Sequence, residues 1–253
     1  MLTIEERRFF QAQGYLRLPG WLAEPRVAEL NVLADDELAR VRTPSGSSAW
    51  NLLENAPSEP GKGPAVYRLS RIAARHSAFE EVAREARVAE LMQEVLGPDA
   101  AWCVNRHNMM LIKAPRVGRE VPWHQDGVNW GHTGMVSLMV FLEEAKPDNG
   151  CLQIVPGAHR EGLFDPAPNS GNMNAADPVQ GSWLRQAVPV PARPGDALLF
   201  HACTPHYSAA NGSECSRRNL IFAYVRAGEA NGSRSRMEPL ECLAFGSACA
   251  TRG

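Results

Sequence analysis

A chain of 253 residues exceeds the usual domain size, yet all-β barrels of this length commonly fold as one unit, and one decorated domain over 1–253 is expected. Its 26 basic and 28 acidic residues are interspersed for a formal charge of −2, which offers no basic footprint to nucleic acid or anionic lipid and leaves a small molecule as the expected partner. No apolar run approaches the ~18 residues of a membrane span, MLTIEERRFF lacks a signal core, and Cys103, Cys151, Cys203, Cys215, Cys242 and Cys249 form no C-x-x-C pair, so the chain reads as a soluble, cytoplasmic monomer or homodimer with reduced thiols.

Thr3-x-x-Glu6 is a capping box that opens a short helix ending near Gly14, and Pro25 followed by RVAELNVLADDELARV has helical spacing. Residues 43–64, rich in Pro, Gly and Ser, read as a long mobile loop. Ser77-x-x-Glu80 opens a third helix, FEEVAREARVAELMQEVL, which Gly97-Pro98 stops. Residues 1–100 are thus a helical part. From 101 to 226 the period changes: AWCVNRHNMMLIKAP, GMVSLMVFLEE, CLQIVP, DALLFHA and NLIFAYVR are short apolar runs bounded by turn residues, and they read as strands. Strands without alternating helices predict a mainly β fold, an antiparallel sandwich or barrel with the helices packed on one side. A second loop, 164–186, interrupts the strands, and structureless segments of that length are more often lids than spacers. The tail, 227–253, is too rich in Gly, Ser and Arg to assign.

WHQDG, residues 123–127, holds His124 and Asp126 two positions apart. In an extended strand such side chains share a face, so an imidazole and a carboxylate could bind one metal ion. Alone, H-x-D is a weak signal. Further on, His206 is followed by Ser208, Asn211 and, eleven residues beyond the histidine, Arg217. Two histidines and one carboxylate on one barrel face leave three coordination positions open, the arrangement of non-haem Fe(II) oxygenases. An arginine on the next strand, facing the same interior, could hold a carboxylate bidentately where water does not screen it.

H-x-D, 79 intervening residues, then H-x-S-x-x-N with that arginine resembles the phytanoyl-CoA dioxygenase family of Fe(II)- and 2-oxoglutarate-dependent oxygenases. FFQAQGYLRLPGWL, the K-x-P of Lys113 to Pro115, DNGCLQIVPGAHREG and PGDALLFH fit as well, so the likeness covers roughly residues 9 to 226. The resemblance implies a double-stranded β-helix core, the cupin-like jelly roll, with iron ligands at His124, Asp126 and His206. It implies that Arg217 binds the far carboxylate of 2-oxoglutarate with Ser208 at the same end, and that polar groups on the preceding strand, Asn105 or Asn108, lie near the cosubstrate. Fe(II), 2-oxoglutarate and O₂ are the implied cofactors and cosubstrates. A halogenating relative would need a small non-ligand residue at position 126, so the carboxylate there implies hydroxylation or a related oxidation.

Several residues have blander readings. His201 is the rival third ligand, and Arg218 the rival to Arg217, since strand alternation lets only one of the two face inward. His107 and His132 line the pocket mouth or are structural; His159 helps to close a loop; His76 is exposed, just before a helix cap at Ser77. Trp130 is the first candidate for substrate contact, with Trp50 and Trp183 in the long loops and Trp123 beside the metal motif. Those loops hold amides, hydroxyls and tryptophans but few charges, and no basic cluster for a CoA phosphate stands out among scattered arginines. This suits a polar, mostly uncharged natural product or glycoside, with hydroxylation, desaturation or ring closure as the outcome. A non-redox jelly-roll binding protein and a cupin-type isomerase are the competing classes.

Overall fold

The computed structural model of the chain describes residues 1–41, 51–53, 65–166, 170–229 and 238–246. Most of the expected loop at 43–64 lies outside these, as does Trp50.

Helix α1 (Ile4–Gln13) opens as its sequence dictates: the Thr3 hydroxyl accepts the Glu6 N–H at 3.1 Å and the Glu6 carboxylate accepts the Thr3 N–H at 2.8 Å. It closes on Gly14, whose φ of 77° only glycine tolerates cheaply. A Cβ there would sit 2.4 Å from His159 Nδ1, so the glycine also permits a close approach of two segments. Helix α2 (Glu24–Val41) follows.

The single helix expected after Ser77 is two, α3 (Ser77–Arg84) and α4 (Ala86–Leu96), because Glu85 takes an extended ψ of 147°. The break lets both halves bury an apolar face, Phe79, Val82 and Ala83 from one and Val88, Leu91 and Met92 from the other. The hydroxyl of Tyr224 donates to the Ala83 carbonyl at the broken end, at 2.8 Å. The residue capping α3 is His76 and not Ser77: its ring accepts the Ala78 N–H.

The strands in chain order are β1 (Tyr15–Leu18), β2 (Asn51–Leu53), β3 (Val66–Ser70), β4 (Ala100–Lys113), β5 (Val121–His124), β6 (Val136–Phe141), β7 (Leu152–Ile154), β8 (Val188–Val190), β9 (Ala197–His201), β10 (His206–Ser208), β11 (Arg217–Arg226) and β12 (Cys242–Ala244). One antiparallel sheet runs β1-β9-β6-β11-β4-β3-β2, with β12 also on β4; the other runs β5-β10-β7-β8. The two form the jelly-roll core. Strand β12 lies in the tail that the sequence left unassigned, and its three residues are too few to carry a period.

Alternation on the large sheet explains the layers. Leu138, Val140, Leu199, Leu220 and Phe222 point outward into a core shared with α1 to α4, whereas Met139, Phe141, Leu198, Phe200 and Ile221 point inward against Leu152, Ile154 and Val190 of the small sheet. Both faces of β6 are buried, which is why it reads as an unbroken apolar run. No helix among the described residues is long and apolar enough to cross a membrane.

Segment 164–186 differs from the structureless loop expected. Asp177 caps helix α6 (Pro178–Leu184), accepting the Val179 and Gln180 N–H groups at 3.0 and 2.9 Å. Just before it, Asn172 forms a bridge to His124, and the Met173 N–H donates to the Trp123 carbonyl. Part of the segment therefore runs beside β5 as a continuation of the sheet.

Candidate metal and cosubstrate site

His124 and His206 are direct register partners on β5 and β10, with ring centroids 4.1 Å apart. Asp126 is not on the strand with His124, as the i, i+2 argument assumed. It opens a five-residue helix, α5 (Asp126–Trp130), after Gln125 in an extended conformation. Gln125 is fully buried and turned elsewhere: its amide donates to the Gly162 and Cys203 carbonyls and accepts the Phe164 N–H. Anchoring this middle residue fixes the two flanking side chains on the other side. Asp126 Oδ1 lies 3.7 Å from Nε2 of both His124 and His206.

His124 Nδ1 donates to the Pro122 carbonyl at 2.8 Å and His206 Nδ1 to the Thr204 carbonyl at 2.9 Å. Carbonyls only accept, so each neutral ring keeps its proton on Nδ1 and presents the Nε2 lone pair inward. Imidazole and carboxylate bonds to a metal of about 2.0–2.2 Å let one ion bridge donors roughly 4 Å apart, and these separations qualify. Asp126 is almost wholly buried, and its Oδ2 has no hydrogen-bond partner among the described residues. A buried carboxylate oxygen left without a donor is costly unless a cation completes it. Two neutral imidazoles and a carboxylate suit a divalent transition metal.

His107, expected either at the pocket mouth or in a structural role, stands next to this group. Between the pairs Ala223–Cys103 and Phe222–Asn108, β4 carries the extra residues Val104 to His107, an excursion that swings His107 inward. Its Nε2 is 3.5 Å from Asp126 Oδ1, its Nδ1 is 2.9 Å from Ser137 Oγ, and it stands edge-on to Trp130. It lines the cavity beside the donors. Burial holds His107, His124 and His206 down to about 4, so all three are neutral at pH 7. Burial does the same to His201.

In the metal-free protein these histidines make stability depend on pH. Unfolded histidines titrate near 6.5, so between roughly pH 6.5 and 4 the unfolded state binds more protons than the folded one, and stability rises with pH. Stability should be level above pH 6.5 and fall below it, by up to about 1.4 kcal/mol per pH unit for each such histidine. Urea midpoints at pH 7.5, 6 and 5 check this, and an unchanged midpoint at pH 5 refutes it.

Arg217 lies at the start of β11, buried on the inner face of the large sheet. Its guanidinium donates to the Gly150 carbonyl and, at 3.2 Å, to Ser208 Oγ, which itself donates to Gly150 at 2.7 Å. No carboxylate pairs with it among the described residues, and its Nε has no acceptor. Burial lowers it to about 10, which leaves it charged at neutral pH. A buried cation held by neutral oxygens is a receptor for an anion. Arg218 faces out, paired with Asp35 at 2.7 Å and Glu143 at 3.3 Å. Asn211, from the same motif, holds the turn between β10 and β11 through the Lys113 and Cys215 carbonyls.

A cavity of about 740 Å³ spans His124, Asp126, His206 and Arg217. Asn105 and Asn108 line it, but their amides serve the backbone: Asn105 binds the Pro239 carbonyl and the Glu241 N–H, and Asn108 the Val104 carbonyl and the Ala73 N–H. Trp130 is on the wall, although 6% exposed and packed with Met135 and Ala202. Trp183, on α6, is not. Trp123 stacks on Tyr207, His132 pairs with Glu229, and His159 packs on His201 near Gly14, all off the cavity wall except Tyr207. His201 accepts the Cys203 N–H and is far from a ligand role. The wall also departs from the uncharged lining expected: the strands and their flanks bring Arg68, Arg71 and Arg106 to it. Their scatter in sequence hid this gathering.

Residues 10–219 match the family model of phytanoyl-CoA dioxygenase (PhyH). A probable alpha-ketoglutarate-dependent hypophosphite dioxygenase from Stutzerimonas stutzeri is 26% identical over 88% of this chain and 78% of its own length. A methylphosphonate hydroxylase from Gimesia maris is 27% identical over 88% of this chain and 80% of its own. The crystal structure of EctD from S. alaskensis with 2-oxoglutarate and 5-hydroxyectoine superposes with a TM-score of 0.78 at 22% identity, over 96% of this chain and 86% of that one.

Proposed function

The chain belongs to the phytanoyl-CoA dioxygenase family, and from that premise we propose that it is a cytoplasmic Fe(II)- and 2-oxoglutarate-dependent dioxygenase oxidising an unactivated C–H bond of a small polar natural product or sugar-containing molecule. His124, Asp126 and His206 would hold the iron. Arg217, steadied by Ser208, would take the far carboxylate of 2-oxoglutarate by a bidentate, desolvated pair. The bound ion would let O₂ act as the oxidant, with two of its four electrons coming from 2-oxoglutarate as it is converted to succinate and CO₂ and two from the substrate. The chain's own task is to orient and to exclude water. His107 and Trp130 close the wall beside the donors, and the cavity keeps the reacting carbon in a dry site. Hydroxylation, desaturation and ring closure all begin with removal of one hydrogen from such a carbon.

The observation that carries this reading is the convergence of three donor atoms on one point in a cavity that also holds a buried guanidinium without a carboxylate partner among the described residues. A cavity of about 740 Å³ suits 2-oxoglutarate with a small second molecule, and the names of the hypophosphite and methylphosphonate relatives point to small substrates too. A binding module has no use for the buried guanidinium, and a cupin-type isomerase no use for a dicarboxylate anchor. The test is an anaerobic titration of apoprotein with Fe(II) and then 2-oxoglutarate, followed by the visible charge-transfer band of the chelate. The band should form in wild type and in His201→Ala, and be lost in His206→Ala. Iron binding without a band would remove 2-oxoglutarate from the scheme.

A further inference from the structure

Arg68 lies on β3, where its register partner is Leu111 of β4, itself opposite Asn219 of β11. It therefore shares the inner face of the large sheet with Arg217, two strands away, or about 10 Å across the sheet. Its side chain lines the cavity and its charge is felt by His107 beside the ligand triad. Yet Arg68 has no hydrogen-bond acceptor and no ion-pair partner among the described residues, and its Nε is wholly buried. Desolvation dominates its electrostatics and lowers it from the usual arginine value, with Arg119 adding a further unfavourable charge.

The neighbours show how unusual this is. Arg75 and Arg26 find carboxylates at Glu37 and Glu29, and Arg106, on the same wall, donates to the Asn105 and Glu238 carbonyls. Asp126 and Glu238 are the acidic residues of the cavity, and neither pairs with Arg68. A guanidinium half-withdrawn from water without an acceptor is unfavourable in the empty protein. Arg217 satisfies one dicarboxylate end and Asp126 one cation, so neither accounts for a second free guanidinium.

We propose that the substrate bears an oxyanion, a carboxylate or a phosphonate, and that Arg68 binds it and so sets which carbon faces the ligand triad. This deepens the oxygenase reading and rests on it. Arginine's planar fork matches either oxyanion bidentately, and the Arg68 position on a strand fixes its origin more firmly than a loop would. The substrate thus differs from a neutral sugar: it is an acid whose oxidisable carbon lies a few bonds from the charge.

Wild-type protein saturated anaerobically with Fe(II) and 2-oxoglutarate is titrated calorimetrically with methylphosphonate, propionate and uncharged 1-propanol. One of the anions should bind and 1-propanol should not, and the preferred anion tells phosphonate from carboxylate. Arg68→Gln should weaken that anion about ten- to a hundredfold while keeping its affinity for 2-oxoglutarate, and Arg68→Lys should restore part of the loss. A purely structural arginine would behave otherwise, so the thermal midpoint of Arg68→Gln should not fall. Anion binding unchanged in Arg68→Gln, equal binding of 1-propanol, or no binding of either anion overturns the inference. If Fe(II) and 2-oxoglutarate themselves do not bind, the oxygenase reading fails separately, and the same titrants on Arg217→Met protein still decide Arg68.

Discussion

Asp126→Ala protein is expected to lose Fe(II) and turnover together while folding as well as the wild type. The aspartate is the anionic member of the triad, and without it two imidazoles on adjacent strands face a vacated corner. Turnover should drop by at least about a thousandfold, the scale seen when one member of an interdependent catalytic set is removed. Stability should move the other way. Asp126 is 3% exposed with Oδ2 unsatisfied, so its removal relieves a desolvated charge in the metal-free protein. Iron content after reconstitution, succinate release and urea midpoints give the three readouts. Substantial turnover in the variant would sink the ligand assignment, and a collapsed midpoint would mean the carboxylate is structural.

Arg217→Met should raise the 2-oxoglutarate requirement by roughly two orders of magnitude, the usual result of truncating one partner of a buried, hydrogen-bonded charge pair. Iron binding in the absence of 2-oxoglutarate should be unchanged. The companion Arg218→Met should leave the requirement alone, since that guanidinium is held outside by Asp35 and Glu143. Titration of 2-oxoglutarate against succinate release separates the two. An Arg217→Met enzyme with a wild-type requirement would mean that another cation on the wall anchors the cosubstrate.

The parts legible in the sequence were those set by local chemistry. The Thr3–Glu6 cap, the stop at Gly14 and the long strands around 100–113 and 217–226 all follow from spacing and turn residues. Illegible were features decided by tertiary packing. A helical period continues straight through Glu85, so only the need to lay two faces on the sheet, with Tyr224 at the break, splits the helix. The pairing of His124 with Asp126 was visible, but not its cause: Gln125 is pulled the other way by carbonyls 37 and 78 residues distant. His107 enters the site through an excursion that shows only when β4 is set against β11. The arginines of the cavity are not evident as a group in the sequence, where Arg68 and Arg106 are 38 positions apart. VYRLS is a short strand whose alternation is masked by tyrosine and arginine on the cavity side.

Sheet order separates two kinds of work. The groups assigned to iron and cosubstrate come from β5, the start of α5, β10 and β11, and β11 has β6 and β4 on its flanks, deep within the large sheet. Arg68 comes from β3, beyond which, among the described residues, lies only β2. Strands β10 and β11 are braced by paired strands on both sides, so substitution there disturbs every neighbour, whereas the β2–β3 pair at the margin can be rewritten at little cost to the rest. His206 and Arg217 are thereby insulated from changes in what is oxidised, and new substrate preferences can arise by editing one strand pair at the margin of a barrel whose centre stays the same.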